Sequence, residues 1–186
     1  MKVKRVSKIE TENFLVGDVI KFKLNDGEKV EAMAVKPEDD GMVFVLVDCL
    51  QKEYSMNLSD TNEGGYEESD LRENLKGEIL DRFPTKIKDK LIAFENGDYL
   101  RLPTEKEIFG ENSFGEEEPE AVEQFKPMEK RRNRIAFQGK NGGWEWYWLQ
   151  NPMKDSASAF AGVGSGGRAN YSAASASLGV RPAFKI

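Results

Sequence analysis

The sequence predicts an α+β domain: an antiparallel sheet with two or three helices, entered through an N-terminal β-hairpin. Three observations predict it. Apolar residues alternate with lysines ahead of an Asn25-Asp26-Gly27 turn. Leucine and isoleucine recur at helical spacing from Leu71 to Leu80. The C-terminal stretch from Trp144 to Ile186 sets stiff aromatic and β-branched ends around a run of Ala, Ser and Gly. At 186 residues the chain fits one domain. We divide it into a tail or edge strand (1–12), a hairpin and helical half (13–109), an acidic loop (110–129), and a core sheet with a display segment (130–186).

The elements follow in order. Ile20, Phe22 and Leu24 alternate with Lys21 and Lys23, the pattern of a half-buried strand. Asn25-Asp26-Gly27 turns the chain, and Val30, Ala32 and Ala34 return as a second strand. Pro37 to Gly41 is a further turn. Met42 to Leu50, apolar except for Asp48, reads as a strand buried on both faces, with Cys49 as a small core residue. After a polar loop from Gln51 to Gly65, Ser69 caps a helix whose stripe is Leu71, Leu75, Ile79 and Leu80. Pro84 opens a second helix with Ile87, Leu91 and Ile92 inward. Asn96-Gly97-Asp98 is a turn, and Tyr99 to Leu102 is a short strand. Thr104 and Glu107 form a capping box for a helix running to Phe109. Residues 110–129 read as a long mobile loop with local helix near Ala121 to Phe125, and Asn133 to Phe137 as a strand. Glu116, Glu117, Glu118 and Glu120 then belong to a solvated loop, and Lys130, Arg131, Arg132 and Arg134 to a solvated strand face.

Trp144, Trp146 and Trp148 share one face of an extended strand, and Glu145, Tyr147 and Leu149 share the other. The indoles are either core or an aromatic platform for a sugar or a protein. The run from Asp155 to Ser177 reads as ordered, close-packed strands and loops. Ser165, Arg168, Asn170, Tyr171 and Ser172 are the candidate ligand-binding residues. Arg, Asn and Tyr are frequent contact groups at recognition surfaces, and the alternative is a turn with incidental polar residues.

Composition excludes much chemistry. The chain has no histidine and one cysteine, Cys49, which removes Ser-His-Asp and Cys-His catalysis and leaves no set of zinc or copper ligands. We expect no cofactor and no metal. A formal net charge of −6 argues against nucleic acid as partner. No apolar run approaches the roughly 20 residues needed to cross a bilayer, so no membrane insertion is expected. The basic start of the chain lacks the apolar stretch of a signal peptide, so the expected localisation is cytoplasmic at synthesis.

Several motifs occur together: Gly17-Asp-Val-Ile-Lys-Phe22; Tyr66-x-x-Ser69-x-Leu71-Arg72-x-x-Leu75; Leu100-Arg-Leu-Pro-Thr104-x-x-Glu107; Trp146-Tyr-Trp-Leu-Gln-Asn-Pro152; and Gly179-Val-Arg-Pro-Ala-Phe184. In these the chain resembles domain-of-unknown-function family six-two-seven-three, found in bacterial and phage proteins, from about Val16 to the C-terminus. The resemblance implies a C-type-lectin-like C-terminal half, akin to formylglycine-generating enzymes and to variable proteins of diversity-generating retroelements. By that resemblance Trp146, Trp148, Arg181 and Pro182 are structural and the residues between Asp155 and Ser177 are exposed. A lone Cys49 cannot supply the cysteine pair of formylglycine-generating enzymes. Gln150-Asn151-Pro152 has the wrong order for a calcium-dependent lectin, and no Trp-Asn-Asp is present.

The function expected is a non-catalytic binding module for a glycan or surface protein, acting through Asp155 to Ser177 in phage or bacterial surface recognition. One alternative is a structural subunit of a phage tail or other assembly, a setting that accommodates a homo-oligomer and a place in a phage particle. A second is a carboxylate-dependent glycan hydrolase, which requires two buried carboxylates facing one cleft roughly 5–10 Å apart.

Overall fold

The computed structural model describes residues 14–186, so the expected tail or edge strand at 1–12 lies outside the described residues. In chain order the strands are β1 (Val19–Lys23), β2 (Lys29–Glu38), β3 (Gly41–Leu46), β4 (Leu100–Arg101), β5 (Ala136–Phe137), β6 (Trp144–Glu145), β7 (Tyr147–Pro152), β8 (Ala159–Val163), β9 (Ala169–Ala173) and β10 (Ala183–Lys185). The helices are α1 (Asp70–Asn74), which continues as a π-helical stretch (Leu75–Ile79), α2 (Thr85–Lys88), α3 (Glu105–Phe109) and α4 (Arg131–Arg134). Two 3₁₀ turns join them, Tyr66–Glu68 and Lys126–Glu129. The class is α+β, and the sheets are antiparallel.

The largest sheet has the order β1-β2-β3-β10-β4. Its first hairpin follows the predicted alternation: Ile20 and Phe22 are buried, while Lys21 and Lys23 face water. Strand β2 runs on through Pro37 and Glu38, where a turn is predicted, because a register shift between Ala34 and Lys36 lets it stay paired with β3. Strand β10, the end of the Gly-Val-Arg-Pro motif, inserts between β3 and β4 and closes the sheet.

Both faces of this sheet are covered. On one, Phe22, Phe44, Leu46 and Phe184 pack with Leu71, Leu75, Ile79, Phe83 and Ile87 from the helical half. The Phe44 and Phe184 rings stack at 5.7 Å, and Phe83 meets Phe184 edge-on at 5.7 Å. On the other, Val43, Val45 and Ala183 meet Ile108, Phe125, Met128, Tyr147, Leu149, Ala161 and Val163. The two-sided burial explains the unbroken apolar run of β3.

Local signals hold where they are strongest. The Ser69 hydroxyl accepts from the Arg72 amide at 3.2 Å, a cap worth about 1 kcal/mol. The Thr104–Glu107 capping box is complete, and α3 ends at Gly110.

Three expectations are corrected. Residues 110–129 carry no helix at 121–125; their ordered turn comes later, at Lys126–Glu129, where Pro127 suits the first helical turn. The basic run 130–134 is a helical turn, not a strand face, and β5 begins only at Ala136. The tryptophan stretch is two strands. β6 pairs with β5 and β7 with β8, so Trp146 is a break where the chain changes sheets. The three indoles therefore part company: Trp148 is fully buried, Trp146 is 38% exposed and Trp144 71%.

Candidate functional site

The small-residue run forms a hairpin on the sheet β7-β8-β9. Strand β8 is central, and all its residues are buried. This corrects the expectation that the whole run from Asp155 to Ser177 is exposed. Ala and Gly side chains let β7 and β9 flank β8 while the cores close over it. Strand β9 has a neighbour on one side only. Arg168 and Tyr171 are exposed, and Ser165, Asn170 and Ser172 are partly so. The five predicted residues do not share one face. Ser165 lies in the turn, Asn170 and Ser172 point to one side of β9, and Tyr171 points to the other.

The hairpin tip is held from beneath. The Arg131 side chain donates to the Gly166 carbonyl at 2.7 Å, and Arg134 to the Gly167 carbonyl at 3.1 Å. Gly167 has φ +69°, and a Cβ there would come within 2.9 Å of the Arg131 carbonyl. Behind this grip the Tyr147 hydroxyl donates to the Arg134 carbonyl at 2.9 Å and accepts from Arg181 at 3.0 Å. Burial, above all, holds the Tyr147 phenol above its ordinary pKa. The Arg181 guanidinium, itself buried, also donates to the Leu46 carbonyl at 2.5 Å. The basic run thus anchors the hairpin, a role that its charge pattern did not signal.

The acidic loop supports the other side. Phe114 packs against Tyr171 with ring centroids 5.1 Å apart. The fully buried Glu105 carboxylate fixes Phe114 in place, accepting from the Phe114 amide at 3.1 Å and the Gly115 amide at 2.8 Å. Only glycine fits at Gly115, where a Cβ would lie 2.3 Å from that of Asn151. Glu118 turns inward from the acidic run. One of its oxygens accepts from the Lys106 amide at 2.9 Å, Asn112 at 2.7 Å and Asn151 at 2.9 Å. Asn151 in turn accepts from the Glu105 amide at 2.7 Å. The stretch read as solvated and mobile is thus tied to α3 and β7 by the buried Glu105 and the half-buried Glu118 carboxylates.

Several other motif residues are structural pins, but Trp146, expected to be structural, is 38% exposed at the break between β6 and β7. Trp148 donates to the Tyr54 carbonyl at 2.8 Å, and Gln150 to the Leu102 carbonyl at 2.6 Å. Pro182 is buried with Arg181. Cys49 is buried too, and desolvation pushes its thiol far above the ordinary range, as expected of an inert core residue.

Other surface features carry less. Phe137 and Trp144 sit opposite each other on β5 and β6, both exposed. Nearby, burial and the adjacent Glu53 carboxylate raise the Glu145 pKa, opposed by a hydrogen bond from the Trp146 amide at 2.8 Å. Gln138 donates to Glu53 at 3.1 Å. A broad cleft of about 870 Å³ runs past Phe94, Glu107 and Lys185. Its buried cations are already paired: Arg101 with both Glu107 oxygens at 2.7 and 2.6 Å, and Lys185 with Asp40 at 2.9 Å. Among the described residues, no group of three or more acidic or cysteine side chains is placed to hold a metal ion. No helix among them is long and apolar enough to cross a membrane.

The family model described as Domain of unknown function (DUF6273) matches residues 40–186, most of the chain, and the chain belongs to that family. The match begins after β2, later than the resemblance near Val16 implied. No curated protein and no solved structure matches the chain.

Proposed function

We propose that this member of the family is a non-catalytic binding module that recognises a glycan or a protein at a bacterial or phage surface through the β8–β9 hairpin. One observation carries the reading: Tyr171 stands exposed on the free edge strand β9 and Arg168 just before it, on a hairpin whose tip and flank are fixed by Arg131, Arg134 and Phe114. A surface ordered before binding loses less entropy on binding; Tyr supplies contact area with few torsions to freeze, and Arg supplies a fork of hydrogen-bond donors. Ala169 between them and Ala173 beyond leave room for a ligand to approach the backbone. The reading also takes the C-terminal half as C-type-lectin-like. Its support is the antiparallel sheet β7-β8-β9 placed against the buried Arg181-Pro182 segment.

A structural role in a larger assembly draws support from a different observation, the exposed Phe137–Trp144 pair on the β5–β6 hairpin. The hydrolase alternative has less. Glu53 stands close enough to Glu145 for its charge to raise that carboxyl's pKa, whereas a glycosidase needs two carboxylates facing one cleft roughly 5–10 Å apart.

The test is a glycan-array and bacterial-cell binding screen. It compares the intact protein with an equally folded variant carrying Arg168→Ala, Asn170→Ala and Tyr171→Ala. Binding lost only in the variant supports recognition at β9. Binding kept by both moves recognition to another surface, with Trp144→Ala the next variant. Absence of binding by either overturns the reading in favour of an assembly subunit.

A further inference from the structure

We propose that strand β9 is a homodimer edge: two copies of the chain pair β9 to β9 antiparallel about Tyr171, joining their sheets into one across a two-fold axis. The argument begins with the backbone. The Gly164 amide donates to the Arg168 carbonyl at 2.9 Å, and the Ala174 amide to the Ser158 carbonyl at 2.8 Å. Between these two bonds the register of β8 and β9 is unbroken. Alternation then turns the peptide groups of Asn170 and Ser172 toward β8 and those of Ala169, Tyr171 and Ala173 away from it.

Few of these outward groups have partners. Among the described residues, the Tyr171 amide is capped by the Asn170 side chain at 2.9 Å, and the Ala173 carbonyl accepts from Ala176 at 2.9 Å. The Ala169 amide and carbonyl, the Tyr171 carbonyl and the Ala173 amide have no protein partner among those residues. An open edge is usually guarded by proline, an inward charge or a bulge. The sequence of β9, Ala-Asn-Tyr-Ser-Ala, contains no proline or charge, and its pairing with β8 shows no bulge.

Register and charge select a second copy as the occupant. Outward-facing residues must meet outward-facing residues. Centring the pair on Tyr171 aligns the most of them: Tyr171 opposite Tyr171, and Ala169 opposite Ala173 in both directions. The two Ala173-to-Ala169 hydrogen bonds need no rearrangement, and the two at Tyr171 form once Asn170 releases the amide. This register places Arg168 opposite Ala174 of the second copy. The adjacent Ser175 amide is held by the exposed Asp60 carboxylate at 3.0 Å. Among the described residues neither Arg168 nor Asp60 forms an ion pair within its own chain. The two-fold therefore brings each Arg168 to the other copy's Asp60, with no like charges opposed. It also places the two Tyr171 rings side by side between the two Phe114 rings. The pairing uses the same Arg168 and Tyr171 that the proposed recognition surface presents, so a ligand there would compete with it and the dimer is tested without one. Five residues per strand make a small contact, so the dimer is weak and concentration-dependent.

The test is sedimentation equilibrium of the full chain over rising concentration, without added ligand, with circular dichroism to confirm folding of each variant. The wild type is expected to show a reversible monomer–dimer equilibrium that weakens with salt. Arg168→Glu and Asp60→Arg should each weaken it about tenfold, and the two together should restore most of the loss. Ala173→Pro deletes an outward amide while sparing the β8 ladder, and should give monomer. It decides the matter even if Asp60→Arg disturbs its loop. A wild type that stays monomeric throughout, or a dimer indifferent to Arg168→Glu and Ala173→Pro, overturns the proposal.

Discussion

Strands β8 and β9 come from one stretch of sequence, and each has three small residues and one aromatic in five: Ala-Phe-Ala-Gly-Val, wholly apolar, and Ala-Asn-Tyr-Ser-Ala, with three polar groups. Yet every residue of β8 is buried, and none of β9 is. The polar side chains of β9 begin the difference, and the neighbours of the two strands complete it. β8 has a strand on each side and a core over each face, so Phe160 joins one core while Ala161 and Val163 join the other. β9 has a strand on one side and Phe114 over part of one face. Small side chains therefore do two jobs in this molecule. In β8 they permit close packing, and in β9 they line an edge with no neighbouring strand among the described residues.

The comparison can be broken or sharpened by substitution. The largest effect is expected in β8, where Phe160→Ala should cost about 3–5 kcal/mol by urea unfolding, because it opens a cavity between sheet and helices. At the hairpin tip, Gly167→Ala should cost about 1–3 kcal/mol, since its positive φ and the nearby Arg131 carbonyl both oppose a Cβ. Its thermal melt should show the loss, and a neutral result would mean that the tip is not gripped as described. Glu145 gives a smaller effect that depends on pH. Burial, and then the Glu53 charge, raise its pKa above the ordinary 4.5, so the fold favours the protonated carboxyl. The stability this group contributes is complete below the ordinary value and is lost as pH rises through the raised one. Over that window the wild-type melting temperature should fall more than that of Glu145→Gln, which should be the more stable of the two at neutral pH. Parallel pH profiles would remove the carboxyl pair from the account. Smallest of all, Tyr171→Ala on β9 should cost below about 1 kcal/mol. A loss matching that of Phe160→Ala would end the distinction between the strands and point to a structural role for Tyr171.

Much of the helical half and the first hairpin was legible. The alternation of Ile20 and Phe22 with lysines, the Ser69 cap and the Thr104–Glu107 box each depend on a few consecutive residues, and each appears where expected. The candidate site was legible only in outline. Arg168 and Tyr171 are exposed, as a display surface requires, but Asn170 and Tyr171 face opposite sides of β9 because neighbouring strand residues must. The groups that hold the site escaped notice. Arg131 and Arg134 reach 35 and 33 residues along the chain to the hairpin tip. Glu118 leaves an acidic run to meet Asn151, 33 residues away.

By itself, then, the sequence determined the turns, the caps, the two-sided burial of β3 and the lack of histidine chemistry. Those features follow from backbone dihedrals, hydrogen bonds within a turn or two, and the inventory of side chains. Tertiary structure alone decided which small-residue strand became the centre of its sheet, which indole entered the core, and which charges were drawn inward. Burial and pairing depend on partners far away in the chain. For strands in which Ala, Gly and Ser make up three residues of five, the apolar pattern is too faint to say in advance which side, if any, those partners will occupy.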